Sequence, residues 1–228
     1  MMTQSWHDLL FAHWPIDAEM LRRQMPSGLP VDHFEGHAWL GIVPFHMTNV
    51  APRGVPSLPM ISAFPELNVR TYVTLGGKPG VYFFSLDAAS KAAVAAARTL
   101  FGLPYHAASM DVAVVGDSIR YDSRREGSDD PPAEFIARYA PSGPASIPQP
   151  GTLDYFLTER YCLYTVDKDF RAHRLDIHHP PWALQPATAQ IDVNTMARAA
   201  GLELPAGVPP LLHFAKRQDM VAWLPTRV

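Results

Sequence analysis

Between Pro65 and Val73 polar and apolar positions alternate. Leu67, Val69, Thr71 and Val73 fall on one side of an extended strand, and Glu66, Asn68, Arg70 and Tyr72 on the other. A Gly76-Gly77 turn and the apolar run Val81 to Asp87 complete a hairpin. The alanine-rich run Ala88 to Leu100 predicts a helix, because alanine has the best helix propensity. Asp87 or Ser90 would cap it, and Gly102 with Pro104 would stop it. Upstream, Leu9 to Trp14 predicts a first strand stopped by Pro15, and Asp17 caps a short helix through Met25. Val31 to Phe34 and Ala38 to Met47 predict a hairpin around Glu35-Gly36-His37. Its second strand is apolar on both faces, as for a strand buried on both sides. Asn49 to Pro65 carries Pro52, Pro56, Pro59 and Pro65 and predicts a long extended loop, the kind that forms lids and site walls.

The second half is also hairpin-rich. Asp111 to Val115 and Ser118 to Arg124 flank a Gly116-Asp117 turn. Residues 126–151 mix Pro, Ser, Gly and acids and predict an irregular excursion, broken by Ala133 to Tyr139 as a short helix or strand. Thr152 caps a brief helix through Leu157. Glu159 to Val166 and Phe170 to Ile177 form the next hairpin, Ala187 to Val193 a strand, and Asn194 to Ala200 a helix closed by Gly201. Leu211 to Lys216 and Met220 to Leu224 make a last hairpin. The sum is an α+β chain, mostly antiparallel, with a curved sheet or closed β-barrel and a few short helices. Residues 1–228 read as one domain, because the strands after the excursion have no core of their own.

Composition narrows the function. With 228 residues and 47% of them hydrophobic, the chain can bury a sizeable core. A net charge of −3 gives no electrostatic case for nucleic acid or an anionic membrane. The N-terminus lacks the basic region of a signal peptide, and no run approaches the ~20 apolar residues of a spanning helix, so a cytoplasmic location is expected. Cys162 is the sole cysteine, which excludes an intrachain disulfide. His178-His179 diverge on an extended chain and no third ligand has motif spacing, so no metal and no cofactor is expected. Exposed hairpin edges would allow a homodimer.

Five motifs in order resemble the YqjF-like family, which has no settled activity. They are Pro65 to Tyr72, Phe83-Phe84-Ser85-Leu86-Asp87-Ala88, Phe101-Gly102-Leu103-Pro104-Tyr105, Phe156-Leu157-Thr158-Glu159-Arg160-Tyr161 and His178-His179-Pro180-Pro181-Trp182. The resemblance spans nearly the whole chain and extends, more distantly, to acetoacetate decarboxylase. It implies a cone-shaped, mostly antiparallel β-barrel with a ligand cavity inside. In the decarboxylase a turn like Phe101-Gly102-Leu103-Pro104 is followed by two lysines, one forming a Schiff base with a β-keto acid and the other lowering its pKa. Here Tyr105 and His106 follow the turn. Neither supplies a primary amine, so the resemblance does not carry Schiff-base decarboxylation with it. The chain's four lysines are Lys78, Lys91, Lys168 and Lys216.

The candidate site follows from these residues. Tyr105 would hydrogen-bond or protonate an oxygen of a bound carbonyl, and His106 would exchange protons near neutral pH. Arg70 would hold a carboxylate, with Glu66 orienting it and Asn68 between them as a neutral partner. If the row instead faces water, Glu66 and Arg70 form a surface ion pair worth little. Glu159 shares strand parity with Tyr161 and Leu163 and is expected to face inward, with Arg160 outward. The expected ligand is a small organic acid or ketone. The alternatives are a non-catalytic binder on the same barrel and an oligomeric scaffold without a ligand.

Overall fold

The computed structural model describes residues 1–52, 54, 62–127 and 131–228, apart from the side chain of Leu100. The middle of the proline-rich loop and the start of the excursion lie outside the described residues. Twelve strands among the described residues form one hydrogen-bonded sheet. In chain order they are β1 (Met2–Ile16), β2 (Ala38–Pro52), β3 (Phe64–Leu75), β4 (Lys78–Ala88), β5 (Tyr105–Val115), β6 (Ser118–Arg125), β7 (Glu134–Pro141), β8 (Cys162–Val166), β9 (Ala172–His178), β10 (Gln185–Asn194), β11 (Leu211–Ala222) and β12 (Thr226–Arg227). The helices lying wholly within the described residues are α1 (Ala18–Gln24), α2 (Lys91–Phe101), α3 (Leu153–Thr158) and α4 (Met196–Ala199).

The sheet closes twice. One ring runs β4-β3-β2-β1-β11-β10-β7-β6-β5 and is closed by a parallel β4–β5 pairing, giving a nine-stranded mixed barrel. A second ring shares β4, β3, β2, β1 and β11 but returns through β9 and β8, with Val221 opposite His178 and Ala222 opposite Ile177. The shared strands therefore have an interior on each face. This is the physical reason that β2 is apolar on both sides and that every residue of β3 from Leu67 to Val73 is buried.

The nine-stranded interior is solid. Leu67 and Val69 meet Ile42, Tyr121, Phe135 and Tyr139 there, each side chain contributing roughly 2 kcal/mol by burial. Helices α1 and α4 cover this core with Leu21 and Met196. A bulge opposite the Val69–Arg70 step re-aims β4, so that Phe83 and Leu86 face one ring while Ser85 and Asp87 face the other. Asp87 is fully buried in an ion pair with the equally enclosed Arg125, at 2.9 Å.

Several sequence expectations are corrected. β1 continues through Pro15, because its pairing with β11 ends at His13 and a strand paired on one side tolerates proline. Of the two options for Ala133 to Tyr139 it is the strand that forms: Glu134–Pro141 is β7, between β6 and β10 in the barrel wall, so this part of the excursion is regular. The last expected hairpin is one continuous strand, β11: Lys216-Arg217-Gln218-Asp219 contains neither Gly nor Pro, and β1 pairs along its length. Glu159 to Tyr161 precede β8 and are not strand.

The β4–β8 seam that closes the second ring is tight. A Cβ on Gly80 would stand 2.7 Å from Cys162 Sγ and 2.8 Å from its carbonyl oxygen. Gly80→Ala is expected to destabilise by about 3 kcal/mol through overpacking. Urea denaturation would check this; an unchanged midpoint would show that the seam can give.

Candidate functional site

Within the second ring lies a cavity of about 330 Å³. Its wall is mostly apolar, with Leu9, Phe45, Phe83, Leu163 and Trp182 among its side chains, and the alanines of α2 stand over one part of it. Into this surface β3 sends Glu66, Asn68 and Arg70, at every second position. All three are at least nine-tenths buried, with exposures of 3%, 5% and 9%.

Tyr105 reaches the same cavity from the end of α2. Ser90 caps the helix, its side chain accepting from the Ala93 N–H. Gly102 ends it at φ +62°, a conformation that glycine adopts without strain. Arg98 Nε then donates to the Tyr105 carbonyl, and the Leu86 N–H to that of Pro104, which fixes the turn against β4. The Tyr105 hydroxyl donates to Glu66 Oε2 at 2.9 Å. Glu66 Oε1 makes no hydrogen bond among the described residues. From the solid side, Tyr121 donates to the Glu66 carbonyl at 2.8 Å and holds that stretch of β3 in place.

Burial dominates the electrostatics of Glu66. Its carboxyl is pushed up to about 8, first by desolvation and further by the Asp87 charge behind it, against the lowering effect of the Tyr105 hydrogen bond. At neutral pH Glu66 is thus a neutral acid able to donate from one oxygen while accepting at the other. The Tyr105 phenol is raised well above its ordinary value, by burial first and then by Glu66, and stays protonated. Folded Glu66 keeps its proton to about pH 8, whereas the unfolded side chain releases it at its ordinary 4.5. Between those values the folded state holds one more proton, so this residue makes stability fall as pH rises, by up to ~1.4 kcal/mol per pH unit. Urea titrations of the wild type and Glu66→Gln should differ by that slope in this window and run parallel below it. Parallel curves throughout would mean that Glu66 is ionised in the fold.

Arg70 sits at the other end of the row. Its guanidinium lies 5.2 Å from the Phe11 ring centroid and 5.9 Å from that of Tyr72, with one long hydrogen bond, 3.5 Å, to the Leu157 carbonyl. Nε has no partner, and no carboxylate pairs with Arg70 among the described residues. The expected Glu66–Arg70 pairing is not made: Glu66 is bound to Tyr105 instead. Asn68 Oδ1, between them, is also buried without a partner.

Of the remaining expected residues, His106 does not line the cavity. It follows Tyr105 on β5 and so faces the opposite way, in register with Asp87. Glu159 is corrected as well. As the C-cap of α3 it escapes strand parity, and its carboxylate holds the Trp182 N–H and the Tyr161 hydroxyl behind the wall. Arg160 lines the cavity, while its guanidinium is committed to Asp32 at 2.8 Å and lies over Phe156. Sequence reasoning also passed over His13, which hydrogen-bonds the Tyr72 hydroxyl at 2.6 Å and is held neutral chiefly by burial. The alternation Leu9, Phe11, His13 would have placed it on the inward face. None of the four lysines lines the cavity; Lys78, Lys91 and Lys216 are ion-paired to Asp176, Glu126 and Asp8.

Uncharacterized protein YqjF of Bacillus subtilis (strain 168) is 49% identical over 223 residues, 98% of this chain and 90% of the relative. The fold is similar to that of the enduracididine biosynthesis enzyme MppR complexed with pyruvate, with a TM-score of 0.67 and 11% identity over 100% of this chain and 90% of that one. It is also similar to acetoacetate decarboxylase from Legionella pneumophila, with a TM-score of 0.65 and 13% identity over 100% of this chain and 87% of that one. Residues 3–219 match the family DUF2071, described as an uncharacterized conserved protein, and the chain belongs to that family and has the acetoacetate decarboxylase-like fold.

Proposed function

We propose that this chain is a cytoplasmic pocket protein that takes a small organic carboxylate into the second-ring cavity and does not use a Schiff base. One observation carries the reading: Arg70 is a buried cation with no counter-charge among the described residues, facing an apolar hollow. An enclosed unpaired charge costs several kcal/mol, and a carboxylate held by the guanidinium would offset it. The cavity volume is in the range of small-molecule sites. A protein of the same fold is complexed with pyruvate, itself an organic acid, which supports the class of ligand. No lysine amine lines the hollow among the described residues. Borohydride treatment in the presence of acetoacetate or pyruvate is therefore expected to leave the protein's mass unchanged. A reduced adduct on any lysine would refute the Schiff-base-free part of the proposal.

A second reading, that the ligand is also turned over by proton transfer, is favoured by Glu66. An acid poised near 8 beside a fixed phenol can give and take a proton near neutral pH. In that case Glu66→Gln would bind ligand but lose turnover. Equal rates in both proteins would remove Glu66 from the chemistry.

A further inference from the structure

The row on β3 also sets the length and the two ends of the ligand. This step rests on the carboxylate reading above. β3 pairs with β2 without interruption from Phe64 to Thr71, so the strand is regular through Glu66, Asn68 and Arg70. Four strand residues separate the Cα atoms of Glu66 and Arg70 by about 13 Å. The Arg70 guanidinium stands over the rings of Phe11 and Tyr72, and no hydrogen bond or ion pair joins it to Glu66 across this gap. A pyruvate-sized acid on Arg70 would leave Glu66, Asn68 Oδ1 and most of the apolar wall unused.

We infer that the cavity selects an extended two-ended acid. Its carboxylate lies on Arg70, an apolar chain of about seven carbons crosses the hollow past Asn68, and a neutral carbonyl or hydroxyl ends at the Glu66–Tyr105 pair. The polarity of the two ends is fixed. Arg70 offers only donors and a positive charge, and accepts only the anionic end. Glu66 offers one donor and, through Tyr105, a satisfied acceptor, so it receives a neutral oxygen. The middle must be apolar where it meets Leu9, Phe83 and Leu163, with room for one polar group opposite Asn68.

Calorimetric titration of the full chain with pyruvate, octanoate, 2-octanone and 7-oxooctanoate tests this. Affinity should rise about fourfold per added methylene, putting octanoate more than 100-fold above pyruvate. 7-Oxooctanoate should bind at least ~5-fold tighter than octanoate, because a ketone gains over a methylene only if it is hydrogen-bonded. That advantage should vanish in Glu66→Ala and shrink in Tyr105→Phe, while Arg70→Met weakens both acids alike. The ketone without a carboxylate should bind far more weakly than either acid. If pyruvate binds as tightly as octanoate and Arg70→Met abolishes it, the two-ended ligand is overturned while the carboxylate pocket stands. Equal binding of octanoate and its 7-oxo form overturns the neutral end. If no acid binds, both proposals fall together.

Discussion

Arg70→Met is expected to make the unliganded protein more stable and to cost it its ligand. Methionine fills most of the arginine's volume but brings no charge into a site where Nε is unpaired and, among the described residues, no carboxylate stands opposite. Replacing a poorly compensated buried ion by an apolar side chain commonly gains about 1–4 kcal/mol. In a chain of this size that raises Tm by roughly 3–10 °C. The guanidinium's long bond to the Leu157 carbonyl disappears, but a methionine side chain can still pack on the rings of Phe11 and Tyr72. Carboxylate affinity should fall by at least ~100-fold, the usual cost of removing one member of a desolvated charge pair. A stabilised variant that cannot bind separates function from folding. A destabilised one would mean that the charge is held by the fold for its own sake.

Asp87→Ala should do the opposite, with a large loss of stability. Asp87 and Arg125 are an enclosed pair, their side chains 0% and 2% exposed, joined by hydrogen bonds of 3.0 and 3.2 Å. Deleting one partner leaves the other charge buried alone, at about 3–5 kcal/mol, or some 10 °C in Tm. The effect also crosses the sheet. Asp87 faces the solid core, yet its charge helps to hold the Glu66 proton in the cavity on the other side. In the milder Asp87→Asn, the pH at which the stability contribution of Glu66 ends should move down from about 8. An unchanged position would leave burial as the sole cause of the shift.

The part of this site legible in the sequence was the part written with period two. Glu66, Asn68 and Arg70 on one face of β3, and the aliphatic residues on the other, follow from alternation alone. The end of α2 was legible too, because Ser90 and Gly102 have few other uses in that position. What alternation could not say is which of two interiors each face lines. That depends on β9 meeting β11 and β4 meeting β5, pairings between residues far apart in the chain. Glu159 departs from its expected place for a local reason: as the C-cap of α3 it lies before β8 begins, so strand parity with Tyr161 and Leu163 does not extend to it. His106 failed for the converse reason. The chain after Pro104 is already strand, so neighbours diverge and only Tyr105 can look inward.

Solving the complex with octanoate would settle most directly what the unpaired guanidinium is for. Both carboxylate oxygens should lie about 2.8 Å from Arg70 nitrogens, with the chain running along β3 towards Glu66. A cavity that stays empty at saturating acid, or an acid bound elsewhere with Arg70 undisturbed, would contradict it.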